Sequence, residues 1–107
     1  MFLLKWKQAV RVEFLDQAKA DLVSIKQYYQ ENGGASLALK MIQKIKRPTL
    51  ALKDNPKVAS LYELAPGVHR LVVADGLFYV FYRVAKHVVV LHIRRAERAP
   101  ENGDNLK

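Results

Sequence analysis

Asp75-Gly76 stands between two runs rich in aliphatic, β-branched and aromatic residues, Val68–Ala74 and Leu77–Val84. In that setting an Asp-Gly pair is a strong hairpin signal, because a type I′ turn needs positive φ at both central residues. Centring a two-residue turn there pairs Ala74 with Leu77, Val72 with Tyr79 and Arg70 with Phe81. A third run, His87–Arg94, follows the weaker turn Ala85-Lys86. Centring on that turn pairs Val84 with His87, Tyr82 with Val89 and Val80 with Leu91. The second half of the chain is therefore expected to be a three-stranded meander.

The first half has a different period. Val10, Val12 and Phe14 alternate with Arg11 and Glu13, which predicts a short strand with one buried face. Asp16 is placed to cap a helix whose Ala18, Leu22, Ile25 and Tyr29 share one face. Asn32-Gly33-Gly34 ends that helix. Ser36 is placed to cap a second, with Ala38, Met41, Ile42, Ile45, Thr49 and Leu52 at helical spacing. So short a link predicts an antiparallel helical hairpin. Pro48 removes a backbone donor and crowds the preceding turn, so a kink or break is expected near Lys46-Arg47. Asn55-Pro56 closes the helical part. The fold class is α+β: an N-terminal strand, the helical hairpin, then an antiparallel β-meander packed on the helices. One domain covers residues 1–107, with a loose extension at 1–9 and a loose polar tail at 99–107.

Composition narrows the function. Eighteen Lys and Arg against ten Asp and Glu give the 107 residues a net charge of +8. That balance favours a nucleic acid, a nucleoprotein machine or an acidic protein as partner. The chain has no cysteine, which excludes a thiolate nucleophile, a disulfide scaffold and a Cys-ligated metal. His69, His87 and His92 do not have metal-ligand spacing, so neither metal nor cofactor is expected. No run of about 20 apolar residues is present to span a bilayer. The opening Met-Phe-Leu-Leu-Lys-Trp-Lys is unlike a signal peptide, so a cytoplasmic protein with no membrane partner is expected.

The two hairpin registers divide the sheet residues between faces. His69, Leu71, Val73, Phe78, Val80, Tyr82, Val84, His87, Val89, Leu91 and Ile93 fall on one side, to lie under the helices. Arg70, Tyr79, Arg83, His92 and Arg94 fall on the other, among Val68, Val72, Phe81, Val88 and Val90, and Arg95 and Arg98 follow directly. Arginines on neighbouring strands repel unless an anion or partner lies between them. These seven polar residues are the candidate target-binding set. Asp16, Asp21 and Asp54 read as capping or surface groups.

Several stretches of the chain resemble RelE/ParE superfamily toxins. They are Val12-Glu13-Phe14-Leu15-Asp16-Gln17-Ala18-Lys19-Ala20-Asp21-Leu22, Asp54-Asn55-Pro56 and Gly67-Val68-His69-Arg70-Leu71-Val72. Tyr79-Val80-Phe81-Tyr82-Arg83-Val84 and the segment from Val88 to Arg98 complete the resemblance, which covers about residues 10–98. It implies the toxin of a type II toxin–antitoxin pair, a plasmid-stabilisation type of module that inhibits growth and is neutralised by a cognate acidic antitoxin.

The superfamily has two arms. RelE-like members cleave messenger RNA in the ribosome; ParE-like members poison DNA gyrase. The RelE-like alternative implies catalytic roles for Arg70 and Arg98 on the phosphate, with His92 as base. The tyrosine expected beyond the last strand is replaced by Glu101-Asn102-Gly103-Asp104. The ParE-like reading requires no catalytic residue, and the Tyr-Arg-Val ending of the third strand resembles it more closely. Gyrase poisoning is therefore the favoured expectation, ribosome-dependent RNA cleavage the alternative, and a non-toxic basic nucleic-acid-binding module the second alternative.

Overall fold

In the computed structural model, which describes residues 11–96, a four-stranded mixed sheet has the order β1-β4-β3-β2. The strands are β1 (Val12–Phe14), β2 (Val68–Val73), β3 (Phe78–Val84) and β4 (Val88–Arg95). β1 runs parallel to β4, and the other pairings are antiparallel. The extension at 1–9, Val10, Arg98 and the tail at 99–107 lie outside the described residues.

Two helices, α1 (Asp16–Gly33) and α2 (Ala35–Leu50), connect β1 to the meander. Only Gly34 separates them, at φ 94° and ψ 169°, a conformation reserved for glycine. Its N–H donates to the Gln30 carbonyl at 3.1 Å, and its own carbonyl accepts from Ala38 to start α2. Two expected caps are corrected. The α1 cap is Leu15, in extended conformation, with Asp16 the first helical residue; the α2 cap is Gly34, with Ser36 inside the helix. Neither cap uses a side-chain hydrogen bond. At its new position the Asp16 carboxylate still complements the positive helix N-terminus.

The break expected at Pro48 does not occur. α2 continues through it to Leu50 and tightens into a 3-10 turn over Ala51–Lys53. Pro48 falls in the last turn, where little helix remains beyond the lost hydrogen bond. Thr49, fully buried one residue on, donates its hydroxyl to the Ile45 carbonyl at 2.7 Å. The buried stripe of Ala38, Met41, Ile45, Thr49 and Leu52 runs past the proline without changing face.

The β2–β3 register is the expected one, with Val72 opposite Tyr79 and Arg70 opposite Phe81. Three successive residues at the turn, Ala74, Asp75 and Gly76, have positive φ. The β3–β4 register differs from expectation. Val84 faces Val88, Arg83 faces Val89 and Tyr82 faces Val90; beyond a bulge, Phe81 faces His92 and Tyr79 faces Arg94. Leu91 is the extra residue. Val88 and Val90 therefore point into the core and Val89 and Leu91 away from it, reversing their expected places. His87 lies half-buried beside β1, its Nε2 3.9 Å from Glu13.

The core lies between the inner sheet face and the helices. Val80, Tyr82, Val88, Val90, Ile45 and Leu52 are buried there, with α1 packed on β4 and α2 on β2. His69 is on the inner face as expected. Its Nδ1 is 2.8 Å from the Ala59 carbonyl, and its ring stacks on Tyr82 with centroids 5.0 Å apart.

Candidate functional site

The outer sheet face gathers the cationic residues. Register alone sets Arg70 beside Phe81, Phe81 beside His92 and Tyr79 beside Arg94. The bulge at Leu91 decides the last two. Without it the alternation that turns Val88 and Val90 inward would carry His92 and Arg94 into the core. The extra residue flips the parity, leaving Ile93 buried and both polar neighbours exposed.

Asp21 holds the bulge from α1. Its Oδ2 accepts the Ile93 backbone N–H at 2.9 Å, and its Oδ1 accepts from the Gln17 amide at 2.9 Å. The His92 Nδ1 is 3.8 Å from Oδ2, close enough for attraction when the imidazole is charged. Asp21, expected as a surface or capping group, instead braces the sheet through the Ile93 N–H. A signal was present: Asp21 is three residues after Ala18 and four before Ile25, on the stripe that packs against the sheet.

At the centre of the outer face, the Arg70 guanidinium lies 4.6 Å from the Tyr79 ring centroid and 5.4 Å from that of Tyr62. Phe81 meets both rings edge-on, at 5.1 Å from Tyr62 and 6.1 Å from Tyr79. The contacts orient the guanidinium through the negative faces of the rings. Tyr62 was missed by sequence reasoning, since it sits in an aperiodic segment between Pro56 and Gly67. The segment is fixed because it adds to the β2 edge: Tyr62 N–H donates to Val68 O at 2.7 Å and Arg70 N–H to Ser60 O at 3.0 Å.

These groups line an open groove of roughly 710 Å³, completed by Ala65, Val68, Leu91, His92, Arg94 and Arg95. Among the described residues, no carboxylate lines it. Among the described residues, none of Arg70, Arg83, Arg94 and Arg95 forms an ion pair. The groove can thus bind an anion bearing flat or apolar groups.

The expected set does not all converge. Arg70, Tyr79, His92 and Arg94 do. Arg83 is on the same face, but its Nη1 is directed toward Pro66 O, 3.5 Å away, and it does not line the groove. Arg95 faces Phe78 across the ladder, so its guanidinium lies on the helix side, 5.3 Å from the Phe78 ring centroid and 5.6 Å from that of Tyr28. It also donates to the Tyr29 hydroxyl at 3.3 Å. Arg98 lies outside the described residues. Below the face, burial pushes the Tyr82 phenol above its ordinary value, partly offset by the Ala59 backbone. Among the described residues the hydroxyl has no hydrogen-bond partner of good geometry, so the Ala59 interaction is a weak one.

The fold is similar to that of a solved structure described as the chromosomal ParDE TA system from P. aeruginosa. That chain has a TM-score of 0.76 and 28% sequence identity, over 83% of this chain and 98% of that one. No curated protein matches. A family model described as the ParE toxin of the type II toxin-antitoxin system parDE matches residues 12–100, most of the sequence. The chain belongs to the ParE toxin family of type II toxin–antitoxin systems.

Proposed function

We propose that the protein inhibits growth by poisoning DNA gyrase, without cutting a bond itself, and that a cognate acidic antitoxin neutralises it in the cytoplasm. The observation that carries this reading is the ParE family match across residues 12–100. The P. aeruginosa relative, described as a ParDE system, supports an antitoxin partner. The +8 charge and an outer groove that no carboxylate lines among the described residues are suited to acidic or nucleoprotein partners. No helix among the described residues is long and apolar enough to cross a membrane.

Under this reading Arg70, Tyr79, His92 and Arg94 make up the target-binding face, with Arg83, Arg95 and Arg98 as its flanks. The arginines contribute binding, not transition-state stabilisation, so their removal weakens inhibition by degrees. An acidic, disordered antitoxin segment would fold onto the basic toxin, with electrostatics accelerating encounter.

The test is induction of the chain alone and together with an acidic antitoxin from a neighbouring gene. Growth arrest relieved by co-expression is expected. Undisturbed growth in cells that accumulate soluble, folded protein would overturn the reading.

A further inference from the structure

We propose that the outer groove binds single-stranded DNA, stacking bases on the Arg70–Tyr79 layer and holding phosphates with Arg70 and Arg94. The choice of DNA over RNA rests on the gyrase reading above. The groove is cationic: the Arg70 and Arg94 side chains and His92 line it, and among the described residues no carboxylate does. That charge pattern complements a phosphodiester backbone. Its other constituents are planar. Arg70 lies over the Tyr79 and Tyr62 rings at 4.6 and 5.4 Å and remains exposed to solvent.

Guanidinium planes and aromatic rings are the surfaces on which unpaired bases stack. A duplex keeps its base faces inside the stack and can offer this groove only phosphates. An acidic peptide matches the charge but leaves the stacked layer without a planar partner. Only a single strand presents both chemistries together. Leu91, turned outward by the bulge, supplies an apolar floor beside Phe81.

The probe is a fluorescein-labelled oligothymidine of about 10 nucleotides, within the range one small domain covers. Its binding to the full chain is followed by fluorescence anisotropy, beside the matching duplex, an oligouridine and polyglutamate. Oligothymidine should bind at least about tenfold more tightly than the duplex. Two phosphate contacts at a slope of about 0.7 each predict a roughly 7-fold loss between about 50 and 200 mM salt.

Tyr79→Ala should weaken binding about 5- to 150-fold, while Tyr79→Phe, which keeps the ring, should retain it. Arg70→Lys, which keeps charge and loses the plane, should also weaken it, whereas Lys26→Ala on the exposed side of α1 should not. If Tyr79→Ala lowers the melting temperature, exposed Arg70→Gln carries the test. Equal binding of duplex or polyglutamate, tighter binding of oligouridine, or indifference to Tyr79→Ala and Arg70→Gln would overturn the proposal. Gyrase supercoiling is assayed in parallel. Ring-dependent oligothymidine binding supports the groove assignment whether or not supercoiling is inhibited. Inhibited supercoiling without oligonucleotide binding overturns it and leaves the gyrase reading standing.

Discussion

Replacing Asp21 with alanine should destabilise the protein far more than its place on a helix surface suggests. The carboxylate sits under the β4 bulge with its side chain 17% exposed, and it accepts the Ile93 N–H at 2.9 Å. Ile93 itself is buried, at 3% exposure, so water cannot readily replace the lost acceptor. An orphaned buried donor costs about 1–3 kcal/mol, and a charge-assisted bond lies in the upper part of that range. A loss of about 2 kcal/mol corresponds to a fall of about 8–16 °C in melting temperature for a domain of this size. Asp21→Asn retains an oxygen acceptor and should cost less than half as much. Thermal unfolding gives the stability, and hydrogen exchange at the Ile93 amide locates the effect. An Asp21→Ala variant within about 0.5 kcal/mol of wild type, with Ile93 still protected, would refute this account of the bulge. The perturbation bears on function because the same bulge turns His92 and Arg94 outward.

Gly34→Ala should cost about 1–3 kcal/mol in urea unfolding, because φ 94° and ψ 169° strain a residue with Cβ although no atom crowds that position. Tyr82→Phe should leave stability unchanged or slightly higher at neutral pH, since it removes a buried hydroxyl that has no good partner among the described residues. Above about pH 10 the unfolded chain loses the Tyr82 proton before the folded one does. Wild-type stability should therefore fall with rising pH there, and less steeply in Tyr82→Phe, as pH-dependent unfolding would measure. Arg70→Ala should weaken inhibition of the target by about 1–3 kcal/mol while moving the melting temperature little, because the guanidinium is exposed and has no ion pair among the described residues.

The helices and the first hairpin were legible because their signals are local and redundant. A 3.6-residue stripe, a glycine pair and Asp-Gly each specify one geometry. Pro48 misled because the rule against internal prolines applies to a helix interior, and this one falls in the last turn. The second hairpin was illegible for a different reason. Val88-Val89-Val90-Leu91 carries no alternation, so nothing in it distinguishes the inner face from the outer. The expected register turned Val88 and Val90 outward and continued unbroken, which also placed His92 and Arg94 outward. In the structure Val88 and Val90 point inward, and the bulge restores the outward direction of the polar pair. The outward placement of His92 and Arg94 was thus anticipated through a wrong register with no bulge. Tyr62 and the clustering around Arg70 depend on a loop laid along the β2 edge, a long-range arrangement that no local pattern encodes. Arg95, adjacent in sequence to a groove residue, sends its guanidinium to the opposite side for the simplest of reasons, the two-residue period of a strand.

The proposal that this ParE family member acts on gyrase and not on ribosome-bound RNA has a direct test. Purified chain is added in parallel to a gyrase supercoiling reaction and to translating ribosomes with a labelled messenger, using wild type, Arg70→Ala, His92→Ala and Arg98→Ala. Inhibited supercoiling with intact RNA is predicted, with graded weakening in the arginine variants. Codon-linked RNA cuts that vanish in His92→Ala, with supercoiling undisturbed, would contradict the account.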